Sequence, residues 1–206
     1  MNRDALRKEI VNFVGEKRLP HVLGTEKECL ELAGIFGMSD ADREKLAFAA
    51  LLHDITKSFS PEEHEQFAES RHICLPAANT DSPKTLHAVT GAYMAEELFP
   101  DDADETVFSA IRWHTTGKAG MTLTEKLMYL ADFIEPTRTF PDCVRLRGYF
   151  YSRIGENDKN AVLDSTLILS FDMTVTELIS SGQPIHPDTV AARNYLILKQ
   201  KPGNDR

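Results

Sequence analysis

His21, the adjacent pair His53-Asp54, His87, His114 and Asp132 are the side chains whose types and order could do chemistry. Imidazole nitrogens and carboxylate oxygens are the ligands that divalent iron, manganese, zinc and similar ions accept. An adjacent His-Asp is unusual as a ligand pair. Neighbours on a helix point about 100° apart and can share one ion only where the helix ends or bends. Thr56, Lys57, Ser58 and a polar stretch follow, so this pair sits at such an end. Asp132 lies inside the apolar run Leu127 to Ile134, where a carboxylate is costly unless a cation meets it. His114 precedes Thr115-Thr116-Gly117, at a junction of helix and turn. Any one histidine has an ordinary reading as a surface or hydrogen-bonded core residue. His64 and His72 are assigned to that reading, His64 because its acidic capped helix shows no convergent partner. Jointly, the six make a metal site the better explanation.

The elements that must position them read as helices throughout, since the two-residue alternation of half-buried strands is absent. Leu6, Ile10, Phe13 and Val14 form one helical face that Gly15 ends. A second helix is expected to follow His21 through Leu30, Ala33 and Phe36, with Gly37 as its stop. Leu46 to Leu52 is apolar on every side, which predicts a central helix carrying His53-Asp54 at its end. Ser60-Pro61-Glu62-Glu63 is a capping box with proline at the first helical position. Further helices are predicted near 84–98, 103–113, 124–134, 159–181 and 188–200, and 70–83 and 135–158 are the least regular parts. No internal repeat, low-complexity tract or linker interrupts the chain.

Length and composition bound the function. At 206 residues and 42% hydrophobic content the chain suits one compact domain. Its net charge of −9 disfavours broad binding to nucleic acid or anionic membrane, so a polyanionic substrate must be held by local cations. Cys29, Cys74 and Cys143 are far apart and form neither a disulfide framework nor a thiolate zinc site. The first fifteen residues mix charge through their apolar positions, unlike a signal peptide, and no apolar run is long enough to span a bilayer. A cytoplasmic protein is expected.

His21, His53-Asp54 and Asp132 resemble the H…HD…D pattern of the HD superfamily of metal-dependent phosphohydrolases, and His87 and His114 resemble its additional pair. LLHDITK (51–57), HTTG (114–117), YLADFIEPTR (129–138) and IHPDTVAARN (185–194) are closely similar to the YqeK family, over about Arg18 to Leu196. The resemblance implies an all-α single HD-domain bundle and a divalent metal, iron first, with manganese, cobalt, zinc or magnesium as alternatives and one ion or two. It also implies symmetrical hydrolysis of diadenosine tetraphosphate to two ADP. The partner is then a dinucleoside polyphosphate or an ADP-like nucleotide; the oligomeric state stays open, a homodimer included. Two departures stand out: Ala88 replaces the family's usual glycine, and the stretch Gly148 to Lys159 is longer.

The residues support that chemistry on their own terms. His21, His53, Asp54 and Asp132 would hold the principal ion, Asp54 able to bridge, with His87 and His114 facing a second ion or a phosphate oxygen. A metal lowers the pKa of its water and polarises a phosphoryl oxygen. The leaving phosphate is already a stable anion, so positioning and charge neutralisation do the rest. Lys57, at i+3 from Asp54, is the first choice of cation and Arg138 the next, each against the alternative of a solvated surface charge. Asp54, Lys57, His87 and His114 are the catalytic set. Thr115 can donate to phosphate. Arg18 serves equally as a substrate screen or a surface charge. Substrate contacts are expected at His21, Gly24, Asp54, Lys57, His87, His114, Thr115, Asp132 and Arg138. The turn Pro184, Ile185, His186, Pro187, Asp188, Thr189 is placed beside the nucleoside by the resemblance alone; locally it reads as a cap, with Asp188 and Thr189 starting the last helix. The same ligands would also suit a nucleotidase or nucleoside triphosphate hydrolase, a di-iron oxygenase, or a nucleotide-sensing binding protein.

Overall fold

The computed structural model describes residues 3–155 and 158–200. Among them are eleven α-helices, one 3-10 turn and no strand. The helices are α1 (Arg3–Glu9), α2 (Val11–Ile35), α3 (Asp40–Leu52), α4 (Pro61–Ser70), α5 (Ala77–Thr80), α6 (Leu86–Leu98), α7 (Glu105–Trp113), α8 (Leu123–Ile134), α9 (Pro141–Arg153), α10 (Lys159–Ser180) and α11 (Pro187–Lys199).

Local signals start several of them. Ser39 accepts the Asp42 amide at 3.2 Å to open α3, and Asp40 and Asp42 place negative charge at the positive end of the helix dipole. Capping boxes, Ser60 with Glu63 and Thr122 with Glu125, open α4 and α8. Leu46 through Leu52 are buried on all sides, and α2, α7 and α8 enclose them. Truncating a leucine in such a core costs about 2–5 kcal/mol. The residues at the end of α3 are therefore held by a rigid base.

The structure departs from the sequence-based expectations at four places. Gly15, expected to end the first helix, instead kinks the chain at φ +74°, and helix resumes at once, so His21 lies inside α2 rather than ahead of it. Residues 141–153, expected to be irregular, form α9. Only Cys143, Leu146 and Phe150 are buried on it while Phe140, Val144 and Tyr151 are exposed, which blurs its period. The stretch Gly148 to Lys159 thus begins as helix; residues 156 and 157 lie outside the described residues. His186, not Asp188 or Thr189, caps α11, its Nδ1 accepting the Asp188 amide at 3.2 Å. His64 does have a partner, since its buried Nδ1 meets Thr90 Oγ1 at 2.8 Å. No helix among the described residues is long and apolar enough to cross a membrane.

Candidate metal centre

Five helices converge on one spot. His21 comes from within α2, His53 caps the C-terminus of α3 with Asp54 just beyond, and His87 lies in the first turn of α6. His114 caps the C-terminus of α7, and Asp132 faces in from the last turn of α8. Both capping histidines use the same local device. The last carbonyls of a helix lack intrahelical donors, and His53 Nδ1 donates to Ala50 O at 2.6 Å while His114 Nδ1 donates to Ile111 O at 2.7 Å. A carbonyl only accepts, so each ring has its proton on Nδ1 and turns Nε2 inward. His21 is locked similarly, with Nδ1 donating to Glu135 Oε1 at 3.0 Å.

The inward atoms crowd together. His21 Nε2 lies 3.3 Å from His53 Nε2 and 3.0 Å from Asp132 Oδ1. His87 Nε2 lies 3.1 Å from His114 Nε2. Asp54 joins the two pairs: Oδ2 is 3.5 Å from His21 Nε2 and 3.3 Å from His53 Nε2, and Oδ1 is 3.4 Å from His87 Nε2. Three overlapping groups have ligand atoms close enough to share an ion: His21, His53 and Asp54; His53, His114 and Asp132; Asp54, His87 and His114. Asp54 Oδ1 is buried and accepts no hydrogen bond. A buried carboxylate oxygen among inward lone pairs is strongly unfavourable without positive charge, so these residues fit a divalent cation.

Titration behaviour agrees. Burial would raise the Asp54 carboxyl, but His53, His87 and Lys57 outweigh it and hold the group well below the usual carboxylate range. Asp132 is likewise held low, burial being overcome by Arg138, His21 and His53. Burial pulls the His53 imidazolium down, yet Asp54 and Asp132 more than compensate and lift it to about 9. The two carboxylates thus demand a positive charge at this spot, which either a proton on His53 or a metal ion can supply. His87 is driven well below its usual value by burial, Lys57 and His114; His114 falls to about 4 through burial and His53. Both rings are neutral near pH 7, and His114, with its proton on Nδ1, turns inward an Nε2 lone pair of the kind that binds metal.

Cations ring the cluster. Arg18 Nε donates to Asp54 Oδ2 at 2.6 Å, a partnership the local sequence did not disclose. Arg138 Nη2 donates to Asp132 Oδ1 at 2.6 Å, and its Nε is buried without a partner. Lys57 Nζ approaches His87 Nε2 at 3.1 Å and Asp54 Oδ1 at 3.9 Å, with its side chain 39% exposed. Thr115 Oγ1 lies 3.0 Å from His114 Nε2. Thr115 also lines a cavity of about 160 Å³ with Lys84, Thr116, Pro184, His186 and Thr189. Ile185, Pro187 and Asp188 are not in that lining. The turn therefore shares a cavity with Thr115 through some of its residues and not others. His186 Nε2 is buried and unpartnered.

Glu135 was missed by sequence reading. Fully buried, it accepts from His21 Nδ1, from the Thr137 amide at 2.7 Å and from Thr137 Oγ1 at 2.6 Å, and these bonds bring its carboxyl below the usual value although burial opposes them. The argument that flagged Asp132, a carboxylate in an apolar run, extends to Glu135 directly after it. Gly24 packs against this carboxylate, and a Cβ there would collide with Glu135 Oε2. Its placement thus serves the support of His21.

The HD domain family model matches residues 18–137. A Halalkalibacterium halodurans protein named symmetrical bis(5'-nucleosyl)-tetraphosphatase is 34% identical, over 98% of this chain and 100% of its own. A Bacillus subtilis protein of the same name is 36% identical, over 96% and 98%. The crystal structure of a predicted HD superfamily hydrolase involved in NAD metabolism from Clostridium acetobutylicum superposes with a TM-score of 0.84 at 34% identity, covering 97% of this chain and 99% of that one.

Proposed function

The chain belongs to the HD domain family, among its YqeK-like members, and we propose that it hydrolyses diadenosine tetraphosphate at the central anhydride to give two ADP. The observation that carries this reading is Asp54, a buried carboxylate whose two oxygens face two separate imidazole pairs and whose Oδ1 has no hydrogen-bond donor. One buried cluster runs from Leu6 to Leu196, so we treat the helices as one HD domain.

His21, His53, Asp54 and Asp132 would hold the ion, with His87 and His114 positioned for a second ion or a phosphate oxygen. Their nitrogen and oxygen donors, with no thiolate in the cluster, suit iron first and manganese, cobalt or zinc next. A divalent ion bound there supplies Lewis acidity, lowering the pKa of a water and polarising a phosphoryl oxygen. The remaining work falls to the protein. Lys57 stands at the partly exposed rim and neutralises charge on the phosphate under attack. Arg138 and Arg18 hold the two aspartates in place. Thr115 links the cluster to the cavity beside Pro184, His186 and Thr189, which suits one nucleoside. With one end of the substrate seated there, the cavity-to-cluster span selects which phosphorus is attacked. Water oxygen bonds to an inner phosphorus and releases its proton to solvent, the central bridging bond breaks, and its electron pair leaves on the second ADP. The free thiols of Cys29, Cys74 and Cys143 support a cytoplasmic setting.

The test is product analysis of protein prepared without oxygen, loaded with iron or manganese and given diadenosine tetraphosphate. ADP alone is expected. Equal ATP and AMP would refute central cleavage, and an inert dinucleotide beside rapid mononucleotide dephosphorylation would favour a nucleotidase.

A further inference from the structure

We propose that Arg147 is a positioning residue for the metal centre, holding the 134–138 turn so that Glu135 meets His21 while Arg138 meets Asp132. The inference rests on reading His21 and Asp132 as metal ligands. Helix α8 ends at Ile134, two residues after Asp132, and its last carbonyls need donors from elsewhere. Arg147 of α9 supplies them: Nε donates to Ile134 O at 2.5 Å, and Nη2 donates to Glu135 O at 2.6 Å and to Arg138 O at 2.9 Å. One guanidinium thus gathers the helix end and both flanks of the turn. Within that turn the Arg138 amide also donates to Glu135 O at 3.1 Å.

Two side chains of the turn contact different members of the site. Glu135 orients the His21 ring, and Arg138 pairs with Asp132 at 2.6 Å. If the carbonyls of residues 134, 135 and 138 moved apart, both contacts would loosen together. Helix α9 is itself anchored to the helix that carries His21. Tyr151, one turn beyond Arg147, donates to buried Glu28 of α2 at 2.6 Å, and the Arg147 charge also acts on that carboxylate. Arg147 therefore connects the elements behind His21 and Asp132 while touching neither. Its planar fork can span three acceptors in fixed directions; a lysine ammonium on a flexible stem cannot reproduce that arrangement.

Titration of metal-free full-length protein with Mn²⁺, alongside a thermal midpoint, tests this without recourse to turnover. Arg147→Ala should weaken Mn²⁺ binding by about 10-fold or more, as loss of groups supporting metal ligands does, and Arg147→Lys should recover part of it. In a Glu135→Ala, Arg138→Ala background both routes are already cut, so Arg147→Ala should there change affinity less than about twofold. A merely structural arginine would cause the same loss in both backgrounds. That result, or wild-type affinity in Arg147→Ala, would overturn the proposal. If Arg147→Ala fails to fold, Arg147→Lys carries the same cycle. Wild-type protein that binds no Mn²⁺ would overturn the metal reading itself, and this inference with it.

Discussion

At Asp54 Oδ2 the neighbours are Arg18, His21 and His53, with Asp132 and Arg138 behind; at Oδ1 they are His87, His114 and Lys57. The locally encoded parts of the two halves are alike, since His53 and His114 both cap a helix and both bond the carbonyl three residues back. Their surroundings are not. The first half gathers carboxylates, so it requires a cation and lifts His53; the second has neutral rings flanked by the Lys57 ammonium and the Thr115 hydroxyl, which can meet an anion. On the function proposed above, the first half holds the metal while Lys57 and Thr115 let the second meet phosphate. The difference comes from which charges packing adds to the same local motif.

The largest effect should come from breaking the first half. His53→Ala removes a ring with no exposed surface, and it should abolish bound metal and nearly all hydrolysis while circular dichroism stays helical. Full metal occupancy with normal turnover, by elemental analysis and assay, would merge the halves again. Lys57→Ala strikes the second half. Turnover should fall about 10²-fold with metal content unchanged, because the lost group stabilises charge in the transition state and holds no ion. A parallel loss of metal would show that the division is wrong.

The smallest effect on turnover, and the sharpest contrast, is in stability against pH. His114 titrates near 4 when folded and near 6.5 when unfolded, so the unfolded chain binds more protons between those values and stability falls as pH drops from about 6.5 towards 4. His53 has the opposite sign. Its folded value of about 9 gives stability that is full below about 6.5 and is lost as pH rises towards 9. Each limb is worth at most about 3 kcal/mol. Urea midpoints of metal-free protein at pH 5, 6.5 and 8.5 should therefore peak in the middle. Bound metal should remove the alkaline limb by replacing the proton on His53, and an alkaline limb unchanged by metal would count against His53 as a ligand.

Much of this protein is written in local sequence, because capping and helical periodicity depend on residues a few positions apart. Leu46 to Leu52 announced a central helix, and the boxes at Ser60 and the apolar run around Asp132 marked helix ends and a costly carboxylate that the structure shows. The ring tautomers of His53 and His114 follow from that local order too, since each bonds a carbonyl of its own helix. Helix α9 was hidden because its buried stripe is narrow and its other faces carry exposed apolar residues. Arg18 on Asp54, Glu135 on His21 and Arg147 on the turn after α8 were also out of reach, since they join residues 36, 114 and up to 13 positions apart. Only packing of the helices sets those distances. The ligand types and several helix ends were determined by the sequence by itself, whereas the tertiary structure decided which charges stand beside each ligand, because only packing brings distant residues together.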